Sequence, residues 1–305
     1  MEKIQAAIAK ARAARSGTGR PATEAEAEGG PLRLTPDSRI AETAPAGPEA
    51  ASASPAPAAP GPGAAASASD AAWLALPGFN PDPRHLLHSR VLAAEAGPDA
   101  LSFDVIRTRM LQQMRANGWT RVAITSPGTG CGKSMLALNL AFSLARQPEQ
   151  RTVLIETDLR RPKLSRYLGL PAQQEVSRFL EGRAPFADHA VRIGANLAVA
   201  TQTHVVRSPA ELLHGGAVAD ALAGLARDYA PTVMLFDMPP MQAGDDVMAF
   251  IGHVDAVLIV AAAELTTIKQ IDHCERELAT QCNVMGVVLN KCRYFDTMSQ
   301  YEYGY

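Results

Sequence analysis

The run Ser126-Pro-Gly-Thr-Gly-Cys-Gly-Lys-Ser134 constrains this chain more than any other. It follows an apolar stretch, Val122-Ala-Ile-Thr125, and opens an amphipathic one, Met135-Leu-Ala-Leu-Asn-Leu-Ala-Phe142. Strand, glycine-rich loop ending Gly-Lys-Ser, then helix is the setting in which a phosphate-binding loop works. Successive loop N–H groups and the helix N-terminus point at the phosphates, and glycines let the backbone approach them. The candidate nucleotide-binding residues are therefore Gly128, Thr129, Gly130, Cys131, Gly132, Lys133, Ser134 and Met135. Lys133 is placed to reach the β- and γ-phosphates, and the Ser134 hydroxyl to bind Mg²⁺. One departure from the usual spacing is Pro127, which stands where the first glycine is expected. A glycine-rich turn without a ligand is the bland alternative, and the context weighs against it.

The chain has 305 residues, enough for one large or two medium domains. Its first third differs in composition from the rest, so the folded part is smaller. A formal net charge of −2 gives no case for nucleic acid or an acidic substrate. Cys131, Cys274, Cys282 and Cys292 show no C-x-x-C spacing and no histidine pairs, and read as reduced thiols. A helix N-terminus could activate Cys131, but packing is the favoured role. No apolar run approaches the roughly 20 residues that span a bilayer, and the N-terminus has no signal-peptide core. The expectation is a soluble, cytoplasmic protein.

Four segments follow. Residues 1–15 read as a short helix with Ile4, Ile8 and Ala11 on one stripe, which could dock a partner, touch anionic lipid or simply fray. Residues 16–72, rich in Ala, Pro, Gly and Ser, read as a flexible linker with too little large apolar surface to offset the entropy of ordering. Residues 73–292 alternate helices and apolar strands, and residues 293–305 form a tyrosine-rich tail. Strands are predicted near Arg121–Ser126, Thr152–Glu156, Asn196–Ala200, Val233–Phe236, Ala256–Val260 and Val284–Leu289. Helices are predicted near Ser102–Asn117, from the loop to Arg146, and near Pro162–Leu168, Glu175–Glu181, Pro209–Asp228 and Thr267–Thr280. This pattern predicts an α/β fold, doubly wound around a mostly parallel sheet, with ligands beyond the strand carboxyl ends.

Two further motifs fall at such ends. Val233–Phe236 runs into Asp237-Met-Pro-Pro240, where a carboxylate can orient Mg²⁺ or its water. Thr152–Glu156 runs into Glu156-Thr-Asp158-Leu-Arg160-Arg-Pro162. There one carboxylate can help hold the metal, another can accept a proton from an attacking hydroxyl, and Arg160 can steady developing charge. Four of the six tyrosines, Tyr294, Tyr301, Tyr303 and Tyr305, fall in the last twelve positions. They read either as an aromatic patch for a partner or, more sharply, as phosphate acceptors on a tether.

Together these motifs resemble the bacterial tyrosine kinases of capsule and exopolysaccharide systems, in their stand-alone cytoplasmic form. The resemblance covers about Ser89 to Tyr305 and includes Ser208-Pro-Ala-Glu-Leu-Leu213 and Gly286-Val-Val-Leu-Asn290. It implies a ParA/MinD-like P-loop topology, ATP and Mg²⁺ as cofactors, and transfer of phosphate to tail tyrosines of a neighbouring copy. It implies Ser134, Asp158 and Asp237 at the metal, Lys133 on the phosphates, and Asp158 or Glu156 assisting the incoming phenol. It also implies a membrane polysaccharide-export protein as activator, recruitment to the inner face of the membrane, and a homo-oligomer with tails in active sites. Separately, the position of Asn290 and Lys291 after the last strand predicts that one of them borders the nucleotide base.

Two features depart from the family pattern. Glu156 replaces its usual aspartate, and Leu101-Ser-Phe-Asp104-Val-Ile-Arg107 keeps only the last arginine of a Glu-x-x-Arg-x-x-Arg ring contact. The alternatives are a ParA/MinD-like ATPase without a protein acceptor, disfavoured by Gly128 in place of a signature lysine, and a nucleotide-binding regulator without kinase activity.

Overall fold

A computed structural model describes residues 62–292, which lie within the unit running from Ala58 to Tyr305. The helix predicted over residues 1–15, most of the predicted linker and all four tail tyrosines lie outside the described residues.

In chain order the elements are α1 (Pro62–Ala75), α2 (Pro83–His88), α3 (Leu101–Asn117), β1 (Arg121–Thr125), α4 (Lys133–Ala145), β2 (Thr152–Glu156), α5 (Leu164–Leu168), α6 (Val176–Leu180), β3 (Ala190–Ile193), β4 (Leu197–Ala200), α7 (Pro209–His214), α8 (Gly216–Tyr229), β5 (Val233–Asp237), α9 (Asp246–Phe250), β6 (Ala256–Ala262), α10 (Ile268–Leu278) and β7 (Asn283–Asn290). The strands form one sheet in the order β3-β4-β2-β5-β1-β6-β7, and every pair is parallel except β3 with β4. The predicted doubly wound, mostly parallel sheet is therefore the fold.

Strand side chains alternate between two cores. Val122 and Ile124 of β1, Leu154 of β2 and Val233 and Leu235 of β5 enter one cluster with Leu136, Leu140 and Leu144 of α4. Ala123, Val153, Ile155, Met234 and Phe236 enter the other, with Leu222 and Leu225 of α8 and Phe250 of α9. Because both sheet faces are covered, both parities are apolar, and the strands read as continuous hydrophobic runs.

Two expectations change. The helix α1 starts inside the segment read as linker, and packs on α8. Its alanines have high helix propensity, and Trp73, 2% exposed, anchors it: Nε1 donates to the Ala195 carbonyl at 2.7 Å and Arg151 stacks 5.1 Å from the ring centre. Burying one such side chain contributes about 2–3 kcal/mol, which offsets part of the ordering cost that composition alone suggests. The strand β3 adds a seventh, antiparallel edge strand. The helices predicted from Pro209 to Asp228 are two, α7 and α8, parted at Gly215, where a Cβ would stand 3.0 Å from the Leu212 carbonyl oxygen.

Candidate active site

The strand β1 lies between β5 and β6, so the loop after it opens at the middle of the sheet's carboxyl edge. Gly130 (φ +79°) and Gly132 (φ +93°) adopt left-handed conformations that only glycine takes without strain. Residue 127 needs no such conformation, which is why proline fits. The Pro127 carbonyl accepts from Gln242 N–H at 3.2 Å and the Ser126 carbonyl from Met241 N–H at 2.8 Å. Inside the loop, the Ser126 hydroxyl donates to the Gly128 carbonyl at 2.8 Å, and so does the buried Cys131 thiol at 3.3 Å. Gly132 has a second constraint. A Cβ there would stand 2.2 Å from Asn290 Nδ2, which itself donates to the Cys131 carbonyl at 2.9 Å. Asn290 thus braces the loop from β7.

Three of the predicted catalytic groups come together here. Lys133 Nζ lies 2.6 Å from Asp158 Oδ2, and both side chains are nearly buried. Glu156 and Asp237 are register partners at the ends of β2 and β5. The Asp237 carbonyl accepts from Thr157 N–H and Asp158 N–H, each at 2.9 Å, carrying the β2–β5 pairing into the following loop. The Asp237 carboxylate is fully buried and neither oxygen has a hydrogen-bond partner of full geometry. Burial pushes its pKa up to about 6, against the pull of the Lys133 ammonium and the Ser134 hydroxyl. Burial works against the Lys133 ammonium, but Asp237 and Asp158 outweigh it and the pKa is raised. An orphaned buried carboxylate facing a lysine and a serine hydroxyl suits Mg²⁺, which takes one or two protein carboxylates and completes its octahedron with water and phosphate. Accordingly, no cluster of three or more His, Cys, Asp or Glu forms a ready metal cage among the described residues.

Two predicted residues have other partners. Glu156 is wholly buried, and its carboxylate accepts from Lys163 N–H, Leu164 N–H and Gln202 N–H at 2.5, 2.9 and 2.9 Å. Burial raises its pKa to about 8, and the backbone donors only partly offset this. Arg160 grips Asp246, with Nε to Oδ2 at 2.6 Å and Nη2 to Oδ1 at 2.9 Å. Sequence reasoning missed Asp246 and Gln202. The pair Asp245-Asp246 shortly after Asp237-Met-Pro-Pro was the available signal for the first, and nothing local marked the second.

Beyond Asn290 lies a cavity of about 570 Å³ lined by Arg90, Ala263, Glu264, Lys291 and Cys292. Arg90, Glu264 and Lys291 all have φ near +60°, and left-handed non-glycine residues gather where a ligand or switch requires them. The residues of the expected ring contact serve this chain's own packing: Asp104 bonds Arg107, Arg146 and Ser143, and Arg107 also donates to the Ser143 carbonyl at 3.0 Å. No helix among the described residues is long and apolar enough to cross a membrane.

The chain is similar to known proteins. The chain is 27% identical over 214 residues to the putative tyrosine-protein kinase AmsA of Erwinia amylovora, covering 68% of this chain and 29% of AmsA. It is thus similar to under a third of that longer protein. It is 27% identical over 206 residues to the putative tyrosine-protein kinase CapB of Staphylococcus aureus, covering 67% of this chain and 88% of CapB. The crystal structure of the VpsO kinase domain superposes with a TM-score of 0.57 at 29% identity, over 64% of this chain and 96% of that one. Residues 122–302 match the CobQ/CobB/MinD/ParA nucleotide binding domain. The match begins at β1 and takes in the loop, both carboxylate motifs and Asn290, and the chain belongs to that family, CbiA.

Proposed function

We propose that this chain is an ATP-dependent protein-tyrosine kinase that phosphorylates the tail tyrosines Tyr294, Tyr301, Tyr303 and Tyr305 of a neighbouring copy. The observation that carries the reading is the buried cluster Lys133–Asp158–Asp237 on a phosphate-binding loop. The named kinases to which the chain is similar support the choice of tyrosine as acceptor.

In this reading the N–H groups of Gly128–Ser134 hold the triphosphate and Lys133 contacts the β/γ oxygens. Bound nucleotide draws the lysine away from Asp158. Ser134, Asp158 and Asp237 would hold Mg²⁺, which supplies positive charge to the phosphate oxygens when bound. With both oxygens of Glu156 engaged by backbone donors, Asp158 is the carboxylate left to accept the phenol proton. The tyrosine oxygen bonds to the γ-phosphorus as the bond to ADP breaks. The cavity beyond Asn290 would take the nucleoside end. Arg160 acts through Asp246 rather than on the transferring group. A membrane polysaccharide-export protein is the inferred activator, and the kinase would work at the inner face of the membrane, regulating polysaccharide polymerisation and export.

The test is turnover of the full chain with MgATP, with and without the activator's cytoplasmic segment, scoring phosphotyrosine and free phosphate together. The expected result is phosphotyrosine that falls at least a hundredfold in Lys133→Met. Phosphate release without phosphotyrosine would instead identify an ATPase, and nucleotide binding without turnover a regulator.

A further inference from the structure

The residue that enters the loop after β2 also closes it. Glu156 ends the strand, and its Oε1 reaches forward to the N–H groups of Lys163 and Leu164, where the chain leaves the loop and enters α5. Its Oε2 takes the N–H of Gln202, just past the end of β4. Gln202 passes the connection on: its Oε1 accepts from Ser177 N–H at 3.0 Å in α6, and its Nε2 donates to the His204 carbonyl at 2.7 Å. At 0% and 2% exposure, Glu156 and Gln202 lie beyond the reach of solvent. The loop Thr157–Lys163 is thus tied at its start to the Asp237 carbonyl, in its middle by Val206 N–H on the Leu159 carbonyl at 3.0 Å, and at its end by Glu156. Asp158 rides on this loop, facing Lys133.

Length matters here. An aspartate would withdraw the carboxylate by one methylene, roughly 1.5 Å, which carries it out of hydrogen-bond range of the α5 amides. Both oxygens are already engaged by backbone N–H groups and the side chain is wholly buried, so neither is open to a cation or a substrate proton.

We propose that Glu156 is a positioning residue that sets Asp158 against Lys133 by closing the loop Thr157–Lys163, and that it neither binds metal nor moves a proton. This rests on the proposed function in one respect, that Asp158 belongs to the reaction centre. The variant Glu156→Gln keeps the shape but offers one acceptor oxygen, so it can serve α5 or Gln202 and must turn an NH₂ group toward the other. Glu156→Asp keeps the carboxyl group and loses the reach.

The experiment follows native-state amide exchange in the full chain, together with Mg²⁺-dependent binding of a fluorescent ATP analogue. In the unmodified protein, the amides of Lys163, Leu164 and Gln202 should exchange as slowly as those of β2. In each variant, exchange at one or more of these three should rise at least tenfold while β1 and β6 amides keep their protection. The Mg²⁺ needed for half-maximal analogue binding should rise about tenfold, as when a group supporting a metal ligand is removed. Fast exchange of these amides in the unmodified protein would overturn the proposal. So would unchanged exchange in both variants alongside a tenfold or greater rise in the Mg²⁺ requirement, which would make Glu156 itself a group that holds the metal. Loss of protection throughout with an unmoved Mg²⁺ requirement would reduce it to a stability residue. None of these readouts requires that phosphotyrosine be formed, so failure of the kinase reading and failure of this one are told apart.

Discussion

The buried Asp237 carboxylate, proposed to hold Mg²⁺, carries a cost to the ligand-free fold. Its folded pKa of about 6 lies above the ordinary 3.8, so the native state holds the proton more tightly than the unfolded chain does. The stability this group contributes is present below about pH 4 and is lost as pH rises through 6, a loss of about 3 kcal/mol at neutral pH. An uncharged Asp237→Asn removes that dependence. Its melting temperature without ligand should exceed that of the unmodified protein by roughly 6–12 °C at pH 7.5 and match it near pH 4, while Mg²⁺-dependent nucleotide binding is lost. A lower melting temperature at pH 7.5 would show that the carboxylate is not strained. Gly132 is constrained twice, by its φ and by Asn290. Gly132→Ala should destabilise by about 2 kcal/mol through its left-handed backbone alone and should also displace Asn290 from the Cys131 carbonyl. Denaturant melts of Gly132→Ala with and without Asn290→Ala separate the two effects, since the second change relieves the crowding and leaves the backbone term.

Between elements, the Arg160–Asp246 pair ties the loop after β2 to α9. The two partners differ in burial: the Asp246 side chain is 2% exposed and that of Arg160 38%. Removing the arginine strands a buried carboxylate, whereas removing the aspartate frees a guanidinium that water can still solvate. Arg160→Ala should therefore cost about 3 kcal/mol and Asp246→Ala clearly less, an order that chemical denaturation can read directly. Roles of this kind were the least legible in the sequence. Lys133, Asp158 and Asp237 could be read because each follows a strand in a recognisable local pattern. Arg160 and Glu156 were seen without their partners, since Asp246 and Gln202 lie far along the chain and only the fold brings them near. The strand β3 escaped for a related reason: Ala190-Val-Arg-Ile193 is short, carries a charge and pairs antiparallel at an edge, so it lacks the apolar run of its neighbours. Trp73 marked where structure resumes, yet it stands near the end of α1, and the alanines before it gave composition without a visible face.

At the scale of the molecule, the sheet brings the ends of β1, β2 and β5 side by side, and β7 reaches back to brace the phosphate loop through Asn290. The mostly parallel sheet was legible from alternating helices and fully apolar strands; the strand order and the antiparallel edge were not. The chain then continues from β7 through Cys292 into the tyrosine-bearing residues, which belong to the same polypeptide as the site but are proposed to serve another copy. The most direct test uses two proteins. A donor lacking residues 301–305 is incubated with MgATP and a full-length acceptor carrying Lys133→Met, and phosphorylated peptides are mapped by mass spectrometry. The expected result is phosphate on Tyr301, Tyr303 or Tyr305 of the acceptor, abolished when the donor also carries Asp237→Asn. Consumption of ATP by the donor with no phosphate on those tyrosines would contradict it.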